Sequence, residues 1–310
     1  MVRLDIVSGF LGAGKTTFIK KVINSCITRH EKIVLIENEF GQINIDSELL
    51  KLQEFPIYEL LQGCVCCTLK EDFFHTIKEI LPQKPDRIIF EPSGIFIFNE
   101  IMDLFKDPKI SSNCCLNSVT TIVDGQNFIK NNHSFAGFFD NQIANASTLL
   151  LNKIQNLSDA EINQITQQLR QKNKEASIIT KDWDEFLGHE IMLILDGNIK
   201  YALHNLFEDL PENNIQHIHH AKQGFESVGV RTSRIFDLKE LDHILKQFSN
   251  SHFGNVLRGK GIIRTKDTCL EFNYVNGQYQ ISPSTSSIAT SIASFIGIGL
   301  EKEKLLSMFN

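Results

Sequence analysis

Apolar and polar positions alternate from Val2 to Val7, the period of a strand, and then Phe18, Ile19, Val22, Ile23, Cys26 and Ile27 recur at the spacing of one helix face. The same two periods keep exchanging along the chain. Short β-branched or apolar runs at Lys32–Ile36, Phe55–Leu61, Pro85–Phe90, Val119–Val123, Thr148–Leu151 and Ser177–Thr180 predict buried strands. Helical spacing predicts helices over Asp72–Leu81 (Phe73, Phe74, Ile77, Ile80 and Leu81 on one face), up to Ile143–Asn145, over Asp159–Gln171 and across most of Ile191–Phe207. Strands and helices in alternation imply an α/β unit: a mostly parallel sheet flanked by helices.

The pattern breaks at Pro211–Gly224, which is polar and turn-rich and reads as a linker. Beyond it the periods return in another order. Gly224–Arg234 is strand-like and Leu238–Phe248 helical, with Leu241, Ile244, Leu245 and Phe248 inward. Arg258-Gly259-Lys260-Gly261 precedes an Ile262-Ile263 strand, and Cys269–Ile281 is a hairpin turning at Asn276-Gly277. A strand and helix over Ser291–Phe309 complete a smaller C-terminal α+β domain. The expected division is 1–210, a linker at 211–223, and 224–310.

Between the first strand and the first helix stand Gly9, Phe10, Leu11, Gly12, Ala13, Gly14, Lys15 and Thr16, a full match to the phosphate-binding loop G-x-x-x-x-G-K-[ST]. Glycines let successive backbone N–H groups turn toward phosphate oxygens, Lys15 reaches the β- and γ-phosphates, and the Thr16 hydroxyl ligates Mg²⁺. A helix N-terminus directly after the loop, at Thr16-Thr17, completes the anion site. The fold expected is that of a P-loop NTPase, and the ligand a nucleoside triphosphate.

Composition narrows the setting. Over 310 residues a net charge of −6 gives no broad basic field, which argues against nucleic acid as the main partner. No apolar run reaches membrane-spanning length, and the amino terminus runs straight into a strand, so neither a membrane span nor a signal peptide is expected. Seven cysteines, three of them at Cys64, Cys66 and Cys67, fit reduced thiols better than a disulfide framework, and the expected compartment is the cytoplasm.

Those three cysteines sit in a loop leading into a helix, where backbone donors and the helix dipole lower thiol pKa. Cys-x-Cys-Cys supplies two or three thiolates within one turn, as capture of Zn²⁺, Co²⁺ or Cu⁺ requires. A redox pair and buried structural cysteines are the competing readings. Other groups gather at predicted strand tips. Glu37 and Glu39 follow the second strand, and their competing reading is a solvated turn. Glu91 ends the strand before Pro92-Ser93-Gly94, placed to hold Mg²⁺ through water, and Gly94 is placed to offer a backbone contact to a γ-phosphate. Asp124 reads as a turn cap sooner than a site residue, and Cys114-Cys115 as local packing. Asn152-Lys153-Ile154-Gln155 resembles the guanine-reading Asn-Lys-x-Asp motif, with Gln155 in place of the aspartate that accepts from both guanine N1–H and the N2 amine. The linker carries His217, His219 and His220, read as a solvated segment with labile metal loading as the alternative.

Taken together, GFLGAGKTT at 9–17, Asn38-Glu39-Phe40-Gly41, GCVCCTL at 63–69, EPSG at 91–94, LLLNK at 149–153, the linker histidines, RGKG at 258–261 and the terminal SFIGIGLE make the chain similar, nearly end to end, to the CobW-like branch of P-loop GTPases. These are metallochaperones related to the nickel-insertion GTPases of urease and hydrogenase. The resemblance implies a GTPase whose Cys-x-Cys-Cys loop binds a transition metal, most simply Zn²⁺ or Co²⁺, with GTP hydrolysis controlling delivery to a client metalloprotein or cofactor-assembly protein. It implies metal-side roles for Glu37 and Glu39 beside Cys66 and Cys67. Within that scheme Lys15 and Mg²⁺ stabilise transition-state charge, and Glu39 is the candidate for orienting the attacking water. A homodimer is one assembly this reading admits. Two other classes compete: a nucleotide-dependent assembly or reactivation factor without ion transfer, and a kinase using the same loop.

Overall fold

The chain divides into two compact units, and the computed structural model describes residues 1–39, 55–61, 68–94, 98–102, 105, 107–134, 136–186, 188–196, 225–250, 252–284 and 288–309. Strands of the first unit are β1 (Val2–Gly9), β2 (Ile33–Glu39), β3 (Ile57–Leu61), β4 (Arg87–Glu91), β5 (Cys114–Asp124), β6 (Thr148–Asn152) and β7 (Ser177–Ile179). They form one sheet in the order β3-β2-β4-β1-β5-β6-β7, and every pairing from β2 to β7 is parallel. The main helices are α1 (Lys15–Thr28), α2 (Thr68–Ile80), α3 (Ala136–Ala144), α4 (Asp159–Lys172) and α5 (Gly188–Asp196).

Both sheet faces are covered, as a parallel sheet with crossover helices requires. Alternate residues Leu4, Ile6, Val34, Ile36, Ile88 and Phe90 pack in one apolar cluster with Phe73, Ile77 and Ile80 of α2. Their neighbours Val7, Leu35 and Ile89, equally buried, point by the strand period to the opposite face. Phe18, Ile19, Val22, Ile23 and Cys26 form the buried stripe of α1. At the start of α4, Ser158 and Glu161 close a reciprocal capping box.

The predicted elements are present, and their edges differ for physical reasons. Helix α2 starts at Thr68, before the predicted Asp72, because its first turn holds one apolar residue, Leu69, which by itself sets no period. Strand β5 starts at Cys114, five residues ahead of Val119. Asn117 and Ser118 break its apolar run because both donate to a buried carboxylate: Asn117 Nδ2 to Asp5 Oδ1 at 2.7 Å and Ser118 Oγ to the same oxygen at 2.6 Å. Asp5 is also bonded to Arg87, whose Nε donates to Glu31 Oε2 and whose second amine donates to Asp196 Oδ1, both at 2.9 Å. This network ties β1, β4 and β5 to the end of α5 at the amino edge of the sheet, opposite the phosphate loop. Of the predicted helix over Ile191–Phe207, the part after Asp196 lies outside the described residues, as does the linker.

The second unit is a five-stranded antiparallel sheet in the order β11-β10-β9-β12-β8. Its strands are β8 (Phe225–Thr232), β9 (Asn255–Arg264), β10 (Cys269–Val275), β11 (Gln278–Ser284) and β12 (Ser291–Ile298), with helices α6 (Leu238–Gln247) and α7 (Lys302–Ser307). The Arg258–Gly261 stretch, expected to precede a strand, lies inside β9. Gly259 faces Phe295 and Gly261 faces Phe272 across the pairings, and the two rings stack at 5.8 Å between centroids. A Cβ on Gly259 would stand 2.7 Å from the Phe295 ring, so these glycines make room for aromatic packing across the middle strand. That is a core feature of this unit.

Candidate nucleotide and metal site

Strand β1 delivers the chain to the carboxyl edge at Gly9, and α1 begins six residues later at Lys15. The intervening loop turns on itself: Ala13 N–H donates to Phe10 O at 3.1 Å, and Gly9, Gly12 and Gly14 all have positive φ. Gly14 (φ +110°) has a second reason to be glycine. A Cβ there would meet Asn152 Nδ2 at 2.5 Å and the Trp183 ring at 2.7 Å. The cradle is one that only a bare backbone fits, as close approach to phosphate requires. The Lys15 ammonium is buried and donates back to Gly9 O at 3.1 Å, lying across the loop. Thr16 Oγ1 donates to the Glu91 carboxylate, at 3.1 Å to one oxygen and 3.4 Å to the other. Thr17, one position further along α1, is exposed. Gly94 lies against the same loop: a Cβ there would be 2.7 Å from Leu11 N, and its carbonyl accepts from Gln142 Nε2 at 3.1 Å.

The sheet register lines up acids along this edge. Glu37 at the end of β2 pairs with Glu91 at the end of β4, and Asp124 of β5 pairs with Asn152 of β6. All four side chains are buried. Thr16 Oγ1 and the Glu91 carboxylate are hard oxygen donors of the kind Mg²⁺ takes, already within hydrogen-bond reach of each other. Glu39 closes β2, with its side chain outside the described residues. Cys64, Cys66, Cys67, His217, His219 and His220 also lie outside them, and among the described residues no three His, Cys, Asp or Glu side chains gather as a metal site.

The base-side motif is assembled from three elements. Asn152 Nδ2 donates to Ala13 O at 2.8 Å, locking the end of β6 to the phosphate loop. Lys153, in the left-handed region at φ 57°, donates to Asp124 Oδ2 at 2.8 Å. Asp124 accepts in addition from Asn127 N and Nδ2, each at 3.0 Å, so it is turn cap and lysine anchor at once. Gln155 Nε2 donates to Asp182 Oδ2 at 2.8 Å. The Asp184 N–H, then the Gln155 carboxamide and the Lys21 charge, hold the Asp182 carboxyl below its ordinary range. Trp183, 5% exposed, stacks on Phe18 of α1 at 5.9 Å and 23°.

The sequence pattern brought out Lys15, Thr16, Glu91, Gly94, Asn152 and Lys153, and the structure gathers them at one edge. It gave no sign of Asp182 and Trp183. The one available signal was position: an acid beside the chain's single Trp, in the turn just after β7. Burial pushes the thiols of Cys26 and Cys114 up to about 12, which suits packing and not ligation.

A family profile described as CobW/HypB/UreG, nucleotide-binding domain, matches residues 4–180, and one described as the cobalamin synthesis protein cobW C-terminal domain matches residues 225–310. A zinc chaperone CobW of Pseudomonas aeruginosa is 36% identical over 132 residues, 39% of this chain and 35% of that protein, so the match spans about a third of the relative's length. The zinc chaperone YjiA of Escherichia coli is 24% identical over 320 residues, covering 99% of this chain and 98% of that one. The crystal structure of Zn(II)-bound YjiA GTPase from E. coli aligns over 99% of this chain and 98% of its own at 20% identity, with a TM-score of 0.45.

Proposed function

We propose, for a chain that belongs to the CobW/HypB/UreG family, that it is a metal-binding GTPase that couples GTP hydrolysis to delivery of a transition metal to a client protein. One observation carries the coupling. Glu37, the acid on the metal side, is register-paired with Glu91, which accepts from Thr16 on the nucleotide side. Two ligands that load neighbouring strand tips bias one loop edge together, and their affinities are then linked in both directions. The names of the relatives point to zinc as the cargo.

On this reading the phosphate loop binds the triphosphate through its backbone N–H groups, and Lys15 holds its charge where negative charge develops on the transferring phosphoryl group. Thr16 and Glu91 would hold Mg²⁺, which when bound neutralises the β- and γ-phosphate oxygens. Glu39 is assigned the orientation of the attacking water, with Gly94 contacting the γ-phosphate. Cys64, Cys66 and Cys67 with Glu37 and Glu39 are assigned to the cargo ion, and the linker histidines to loading. Asn152 and Lys153 fix the base against the loop they already grip. Residues 1–210 would be the GTPase domain and 224–310 a docking or regulatory domain across the 211–223 linker. No described helix is long and apolar enough to cross a membrane.

The test is a zinc-loaded, reduced protein given Mg²⁺-GTP in the presence of a chromophoric zinc chelator. Zinc is expected to appear in step with phosphate, and to stay bound with a non-hydrolysable GTP analogue. Phosphate release with the zinc retained would contradict delivery and leave the assembly-factor reading.

A further inference from the structure

Residue 155 presents a problem of chemistry. Guanine offers two donors on one edge, N1–H and the N2 amine, and a neutral carboxamide has a single carbonyl with which to accept. The structure shows where the other acceptor is. Asp182 Oδ2 can only accept, so the 2.8 Å contact fixes the Gln155 carboxamide with its nitrogen toward Asp182 and its carbonyl as the second, accepting arm. The pair therefore carries two acceptors, the Gln155 carbonyl and the Asp182 carboxylate, joined through the amide N–H.

Asp182 is held in place by more than this bond. Its Oδ1 accepts from Asp184 N at 3.0 Å, Asp184 is ion-paired to Lys21 of α1 at 2.8 Å, and Trp183 between them stacks on Phe18 of the same helix. The Trp183 ring also reaches the Gly14 position, as does Asn152. The turn after β7 is thus fastened to the helix that leaves the phosphate loop, and to the strand end that carries Asn152 and Gln155.

Resting on the nucleotide reading above, we propose that Asp182 is a specificity-determining residue, supplying the carboxylate that position 155 lacks, so that the Gln155 carbonyl accepts from guanine N1–H and the Asp182 carboxylate from the N2 amine. Adenine is rejected by the same pair, because its N1 is itself an acceptor and would face two others. The arrangement also changes what substitution at 155 does. Gln155→Asp alone sets two carboxylates against each other where a donor and an acceptor now meet, and brings no gain in guanine preference.

The experiment uses the whole chain and one reporter, energy transfer from Trp183 to mant-GDP, with GTP, ITP and ATP as competitors. ITP lacks only the N2 amine. Wild type is expected to bind GTP more tightly than ITP, and Asp182→Asn to cut that GTP:ITP ratio about 10- to 100-fold, the span of a charge-assisted hydrogen bond. The exchange variant Gln155→Asp/Asp182→Asn returns one carboxylate and one carboxamide to the pair and is expected to recover the ratio, which repair of a merely structural role would not do. An unchanged ratio in Asp182→Asn overturns the inference while leaving nucleotide binding intact. Failure of wild type to bind any of the three nucleotides overturns the nucleotide reading itself.

Discussion

Lys15→Ala is expected to reduce GTP hydrolysis about 100- to 1,000-fold or more, the cost of removing one preorganised donor from a site of developing negative charge. The geometry explains why so much rests on one side chain. Its ammonium is 4% exposed and held across the loop by Gly9 O at 3.1 Å, so it does not have to be recruited from solvent at the moment of reaction. Gly9 itself is fixed, since its φ of +145° sits where β1 runs against Ile122 of β5. Removing the ammonium takes away a unit charge without moving the backbone donors. Nucleotide binding should therefore weaken less than turnover falls. Phosphate release at saturating Mg²⁺-GTP checks this, with Trp183 fluorescence as the control for folding. Turnover at the wild-type rate would contradict the assignment of the loop.

Arg87→Ala is expected to destabilise the first unit by roughly 3–5 kcal/mol, the usual result of stripping one partner from a buried ion pair. Arg87 and Asp5 both have fully buried side chains, so no solvent screens the charge left behind. Asp5 would keep its bonds from Asn117 and Ser118 and lose the guanidinium bonded to it, while Glu31 and Asp196 would fall back on their more exposed pairings with Arg3 and Arg29. A total stability of roughly 5–15 kcal/mol makes that a large fraction. Trp183 is the chain's only tryptophan and belongs to the first unit, so its fluorescence follows unfolding of that unit without contribution from the other. A denaturant midpoint unchanged from wild type would mean that the network contributes nothing net.

Local signals carried much of this structure into the sequence. The β1–loop–α1 unit could be read because glycine spacing, strand alternation and helix period all fall within one continuous stretch. The fold class could be read because strands buried on both faces appear as unbroken apolar runs. What stayed hidden was made by closure of the fold. Asp5 and Arg87 look like ordinary polar positions in two strands until β1 and β4 pair. The local pattern places Gly259 and Gly261 ahead of a strand and not within it because the rings that fill their gaps come from Phe295 and Phe272 on other strands. Gln155 reads only as a departure from the guanine-reading motif because its partner lies in a turn 27 residues further on. Each miss has the same cause: a local pattern reports which face a residue occupies and not which distant side chain it meets there.

The claim at the centre of the function is that metal and nucleotide are coupled ligands of one edge of the sheet. The direct measurement is an anaerobic Co²⁺ titration of the reduced protein, with and without Mg²⁺-GTP, following thiolate-to-cobalt charge-transfer absorption, with Cys66→Ala/Cys67→Ala alongside. A band that needs those two cysteines, with a Co²⁺ affinity that shifts when nucleotide binds, is the expected result. A band indifferent to nucleotide, or no thiolate band in either state, would contradict the coupling.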